Sequence, residues 1–208
     1  MNFKPSENIQ LYGMNLFFHE ITGLYKVKKM PSKILLSGRK GLGKSTLAYH
    51  IINYILSDKE DHKYDFDILR INKENRSFRL IQNNSHPNFY LIDLIKDQKI
   101  IDVTQVRKMI TYTNKSTFND MPRFILIDNV ENLNKNSVNA LLKILEEPNE
   151  NVFFILISNS EKIYYSRDYR CVCSTCGKDS IKLVKLKLTE KKEIRCPWCG
   201  MKILMTSL

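Results

Sequence analysis

Cysteine is missing from the first 170 residues of this 208-residue chain, and all five cysteines lie beyond that point. A disulfide framework over the first three quarters is therefore excluded. No window approaches the roughly 18 uninterrupted apolar residues of a membrane-spanning helix. The N-terminus carries Lys4 and Glu7 and lacks the apolar run of a signal peptide. These absences read as a cytosolic protein with no membrane partner, in which the late cysteines serve a metal rather than disulfides. What is present suits one full α/β domain plus something small: 43% of residues are hydrophobic, enough for a core. The formal charge is +11, and residues 166–208 hold ten of the 33 Lys/Arg against four of the 22 Asp/Glu. A basic balance favours a polyanion such as nucleic acid, although solvated lysines give the same balance.

Residues Gly38-Arg39-Lys40-Gly41-Leu42-Gly43-Lys44-Ser45 spell G-x-x-x-x-G-K-S between the apolar run Ile34–Leu36 and a helix-patterned stretch. That is the context of a phosphate-binding loop. Glycines let successive backbone N–H groups turn toward phosphates, Lys44 brings a point charge, and the Ser45 hydroxyl suits Mg²⁺. The pattern predicts nucleoside triphosphate binding.

Four nearly continuous apolar runs, Ile34–Leu36, Phe89–Ile92, Phe124–Ile127 and Phe153–Ile157, read as strands buried on both faces. Helical patterns lie between them. Ser45–Ser57 aligns Leu47, Ala48, Ile51, Ile52 and Ile55; Asp102–Tyr112 opens on a capping-box pair, Asp102 and Gln105; Asn136–Glu147 aligns Val138, Leu141, Leu142 and Leu145 before Pro148. Strands alternating with helices predict a three-layer α/β fold with a parallel sheet and its ligand at the carboxyl ends of the strands. Residues 58–84 are polar and weakly periodic and read as a surface excursion carrying little chemistry. The run Arg123–Ile127 ends in Asp128, placed to hold Mg²⁺ through its water shell. Asn129 follows it and Glu131 lies two further on. An amide cannot accept a proton from water, so hydrolysis is expected to be weak or absent.

These motifs combine with Leu11-Tyr12-Gly13, Ser85-His86-Pro87-Asn88, Val103-Thr104-Gln105-Val106-Arg107, Ile127-Asp128-Asn129-Val130-Glu131, the stretch 139–148 and the stretch 153–159. Over about residues 8–163 the chain resembles the delta-prime subunits of the bacterial DNA polymerase III clamp loader, of the AAA+ class. The resemblance implies a subunit of a pentameric ring that, with gamma/tau and delta, loads the sliding clamp onto primed DNA. It implies ATP and Mg²⁺ bound by residues 38–46 and Asp128, with Lys44, Ser45 and Thr46 at the phosphates and metal. Tyr12 and its neighbours would flank the adenine, and Asn159 would be the sensor. Counting from Glu161-Lys162-Ile163, Arg170 falls where the family supplies an arginine finger in trans. His86, in a Ser-His-Pro turn, is expected to be structural.

Where the family continues into a helical lid, this sequence reads Cys173-Ser174-Thr175-Cys176 and, 19 residues on, Cys196-Pro197-Trp198-Cys199. Two C-x2-C pairs predict a tetrahedral Zn²⁺ site, with Cys171 left over. The alternation of Ile181–Leu188 suits a ribbon hairpin. Residues 169–204 also resemble the small zinc-ribbon subunit of archaeal and eukaryotic RNA polymerases. The expected organisation is an AAA+ domain at 1–165 and a basic zinc ribbon at 166–208. The competing expectation is an adaptor that binds nucleic acid or tethers a polymerase through the ribbon, with the AAA+ domain as scaffold.

Overall fold

The computed structural model describes residues 4–95, 98–115, 118–146 and 149–159, and the backbone of five short strands between residues 170 and 205. In chain order the main elements are α1 (Asn15–Lys26), β1 (Lys33–Ser37), α2 (Lys44–Leu56), α3 (Arg76–Gln82), β2 (Phe89–Ile92), α4 (Val103–Thr113), β3 (Arg123–Ile127), α5 (Lys135–Glu146) and β4 (Val152–Ser158). The short strands are β5 (Arg170–Val172), β6 (Asp179–Ile181), β7 (Lys185–Lys187), β8 (Lys192–Arg195) and β9 (Lys202–Met205).

The sheet is parallel, in the order β2-β3-β4-β1-β7. Every residue of β3 is buried, because the sheet is covered on both faces. Phe124 and Leu126 join one core with Phe17, Phe18, Leu47, Ile51 and Phe78, from α1, α2 and α3. Ile125 and Ile127 join the other with Val106, Met109, Leu141 and Leu145, from α4 and α5. Alternate side chains of a strand point to opposite faces, so both must be apolar, which produces the continuous run. Each fully buried Phe, Ile or Leu contributes about 1.5–3 kcal/mol. The fold is thus the parallel three-layer α/β arrangement expected from the alternation of elements. The capping box of α4 is present, with Asp102 accepting from the backbone of Thr104 and Gln105 and the Gln105 side chain returning to Asp102 N–H. Arg123 clamps the far end of that helix: its buried guanidinium donates to the carbonyls of Tyr112, Thr113 and Lys115 and lies over the Tyr112 ring.

Residues 58–84 depart from the expected surface excursion. Tyr64, Leu69, Ile71, Phe78 and Ile81 are buried in the core of α1 and α2, and Tyr64 stacks on Phe18 with ring centroids 5.1 Å apart. The segment is ordered by tertiary contacts rather than by a period of its own, and its one helix, α3, begins where the Asn75 side chain accepts from Phe78 N–H.

Beyond β4, β5 pairs antiparallel with β6 and β8 antiparallel with β9, while β7 lies parallel to β1. The β character expected over 181–188 is found at the end of β6 and in β7, whose partner is β1. Cys173, Cys176, Cys196 and Cys199 lie outside the described residues.

Candidate nucleotide-binding site

Parallel pairing fixes what meets at the carboxyl edge of the sheet. Reading across β2, β3, β4 and β1, the tips deliver Asp93, then Asp128 and Asn129, then Asn159, then the loop from Gly38. Neighbouring strands are about 4.8 Å apart, so four tips lie within roughly 15 Å. Residues separated by more than a hundred positions become neighbours through strand order alone.

The loop after β1 turns through left-handed glycines, Gly41 at φ 90° and Gly43 at φ 82°, the latter capping α2. A side chain at Gly43 would have space, its nearest neighbour being Met14 Cε at 3.7 Å, so the backbone angle is what requires glycine. The first turn of α2 therefore presents its N–H groups and positive dipole end to the loop. Lys44, 3% exposed, folds back so that Nζ donates to the carbonyls of Gly38 at 3.0 Å and Arg39 at 2.7 Å. Burial lowers its pKa, and the carboxylates of Asp128 and Glu131 oppose that shift. The Ser45 hydroxyl donates to Asp128 Oδ2 at 2.7 Å. Asp128 has its pKa raised, chiefly by burial; the bonds from Ser45 and from Asn129 N–H oppose this, while Asp93 and Glu131 add to it.

Asn129 is left-handed at φ 54°, ψ 44°, a region where Asn is enriched among non-glycine residues. Its amide is pinned on both sides: Nδ2 donates to Asp93 Oδ1 at 2.7 Å and Oδ1 accepts from Asn159 Nδ2 at 2.8 Å. Asn159 N–H in turn donates to Glu131 Oε2 at 3.1 Å. A single polar chain thus links the tips of β2, β3 and β4 beside the loop. Asp93 was not singled out from the sequence; its one signal is its place directly after Ile92 at the end of a buried strand.

On the other side of the loop a cavity of about 360 Å³ is lined by residues 7–12, Met14, Gly43 and Thr46. Tyr12 is 81% exposed at its mouth and Leu11 is buried at its wall. Its lining is mixed, with apolar Ile9, Leu11 and Met14 beside polar Glu7, Asn8, Gln10 and Thr46.

The structure therefore brings together the loop, Ser45, Thr46, Asp128, Asn159 and Tyr12. The loop's N–H groups and Lys44 suit a polyphosphate, and two hard oxygens on Ser45 and Asp128 suit Mg²⁺. His86 lies apart: its Nδ1 accepts from Asn88 N–H and its Nε2 faces Ser77 Oγ, while burial holds its pKa down to about 4. It is a neutral pin of the Ser-His-Pro turn. Only the backbone of Arg170 is described, in β5, so its side chain lies outside the described residues. Among the described residues no helix is long and apolar enough to cross a membrane.

Comparison with known proteins matches residues 15–167 to the family described as "DNA polymerase III, delta subunit". The chain is 30% identical over 155 residues to the DNA polymerase III subunit delta' of Buchnera aphidicola subsp. Schizaphis graminum, covering 74% of this chain and 45% of that one. It is 29% identical over 172 residues to the DNA polymerase III subunit gamma of the same organism, covering 82% of this chain and 45% of that one. The chain thus spans under half the length of these relatives. Among solved structures, a DNA polymerase III gamma subunit-related protein of Thermotoga maritima matches with a TM-score of 0.47 at 17% identity, over 66% of this chain and 38% of that one. With a family match that takes in the phosphate loop, Asp128 and Asn159 together, this chain belongs to the DNA polymerase III delta subunit family.

Proposed function

We propose that the chain is a cytosolic, nucleotide-binding clamp-loader subunit of the delta-prime type, an AAA+ protein. It would assemble with gamma/tau and delta and help load the sliding clamp onto primed DNA. The observation that supports this most is the convergence at one sheet edge of the loop 38–45, Asp128 and Asn159, in a chain of this family. ATP would take the loop's N–H groups and Lys44 at its phosphates, with its base against residues 8–12. Mg²⁺, held near Ser45 and Asp128, would neutralise phosphate charge. Asn129, pinned between Asp93 and Asn159, holds no base that could take a proton from water. ATP then acts as a conformational ligand, and the isolated protein turns it over well below the ~1 s⁻¹ typical of slow enzymes. Arg170 would be offered in trans to a neighbour's nucleotide.

The second module would be a basic zinc ribbon at 166–208, holding one Zn²⁺ through Cys173, Cys176, Cys196 and Cys199. Each C-x2-C pair falls in the chain between the two strands of an antiparallel pair, β5 with β6 and β8 with β9, which supports a role for both pairs at one ion. Co-purification of the full chain with gamma/tau and delta tests the assignment. Recovery of a stoichiometric complex supports a clamp-loader subunit, and failure to bind either partner refutes it.

A further inference from the structure

The base cavity has a wall made of residues 8–11, whose Gln10 forms an isolated antiparallel bridge with Arg70. What holds it is the stretch that looked least informative in the sequence. Ile71 N–H donates to Ile9 O at 2.8 Å, Leu11 N–H donates to Leu69 O at 3.1 Å, and the Gln10 amide reaches Ile68 O at 2.6 Å. Behind the wall stands His50, fully buried on α2 and six residues after Lys44. Its Nε2 lies 3.1 Å from Asn8 O and its Nδ1 lies 2.8 Å from the hydroxyl of Tyr64.

The chemistry of those partners fixes the ring. A carbonyl oxygen can only accept, so Nε2 carries the proton and donates to Asn8. Nδ1 is then an acceptor, and the Tyr64 hydroxyl, 6% exposed, must donate to it. Burial holds the His50 pKa down to about 4, consistent with a neutral ring. The Asn8 side chain closes the circuit by donating to Thr46 Oγ1 at 3.3 Å, one position after the serine of the phosphate loop.

We propose that His50 is the positioning residue of the base subsite: through Tyr64 and Asn8 it ties residues 64–71 and the cavity wall to the helix that carries the phosphate loop. This rests on the nucleotide reading above and assigns a role to side chains that touch no ligand. The wall is joined to the phosphate-loop helix by the buried His50 ring and by the Asn8–Thr46 bond, and residues 64–71 are a structural part of the nucleotide site.

The tether acts on the base and not on the phosphates, so its removal separates two ligands. In the full-length protein, titrations of Mg²⁺ with ATP and of Mg²⁺ with inorganic triphosphate are compared for wild type, His50→Leu, His50→Gln and Tyr64→Phe. Loss of one buried hydrogen bond to the wall weakens ATP about tenfold in His50→Leu while leaving triphosphate unchanged. His50→Gln, which keeps an amide donor at similar reach, recovers most of that loss. Tyr64→Phe, which only frees Nδ1, shows a smaller loss confined to ATP. If His50→Leu does not fold, the ATP-specific loss in Tyr64→Phe carries the test. Unchanged ATP affinity, or equal weakening of ATP and triphosphate, overturns the role of His50. Wild type binding neither ligand overturns the nucleotide reading itself.

Discussion

Replacing Asn129 by Glu would put a carboxylate directly after Asp128, where this chain has an amide, and it should destabilise the fold. The amide that now donates to Asp93 Oδ1 at 2.7 Å would become a carboxylate against a carboxylate. Two such charges about 4 Å apart repel by about 4 kcal/mol at an effective dielectric constant near 20. Both positions are half-buried, so screening and proton uptake reduce this, while loss of a hydrogen bond to a charged group adds to it. The left-handed backbone at 129 adds a smaller penalty for Glu. Asn129→Glu is expected to lose about 2–4 kcal/mol, a large share of the 5–15 kcal/mol typical of a domain. In the double variant Asp93→Asn/Asn129→Glu the amide and the carboxylate exchange places and the contact is favourable again. A double-mutant cycle by urea unfolding at neutral pH should show coupling of about 1–3 kcal/mol. The pH dependence has a definite sign. Repulsion makes one of the paired carboxylates hold its proton to higher pH in the folded state than in the unfolded one. The penalty is therefore full at neutral pH and is relieved as pH falls toward the ordinary carboxylate range of about 4. The double variant should lack this pH dependence, and it is also the form in which ATP turnover could rise. A single variant as stable as wild type, or additive single effects, would refute the reading of Asp93 and Asn129 as a pair.

Arg123→Met removes the donor shared by the carbonyls of Tyr112, Thr113 and Lys115 and should cost about 2–4 kcal/mol, read by thermal or urea unfolding. Because the Asp128 pKa is raised, its carboxylate protonates at higher pH than an ordinary Asp. Affinity for ATP with Mg²⁺ should accordingly begin to fall above the usual aspartate value of about 3.9, and Asp128→Asn should flatten that dependence in pH-resolved titrations. Metal analysis of the purified chain should find one Zn²⁺ per molecule, lost in Cys196→Ser and retained in Cys171→Ser; the reverse pattern would mean that a different set of sulfurs is used.

Strands β1 to β4 were legible because burial in the sheet leaves no polar residue in runs such as Phe124–Ile127. The α4 start was legible because its capping box is a local chemical pattern, Asp102 with Gln105. The loop from Gly38 was legible because Gly41 and Gly43 stand where the backbone is left-handed, and Asp128 because it directly follows a buried apolar strand. Residues 58–84 were not. Tyr64, Leu69, Ile71, Phe78 and Ile81 follow no helical or strand period, and they become core only because Phe18 and the α2 face stand opposite them. Asp93 and the pinning of Asn129 were hidden for a related reason. They depend on β2 lying beside β3 and β4 between β3 and β1, an order that local spacing does not record. His50 reads as one more helical position until Asn8 and Tyr64 are seen at its two nitrogens.

Calorimetric titration of ATP with Mg²⁺ into wild type and Lys44→Ala tests whether the sheet edge at Gly38–Ser45 binds a nucleoside triphosphate. The Lys44 ammonium donates to the loop's own carbonyls at Gly38 and Arg39, under the influence of the Asp128 and Glu131 carboxylates. Removing it deletes about two charge-assisted contacts to phosphate, which corresponds to at least a hundredfold loss of affinity. The expected outcome is saturable binding to wild type and none measurable to the variant over the same range. Equal affinities, or no binding to either protein, would contradict it.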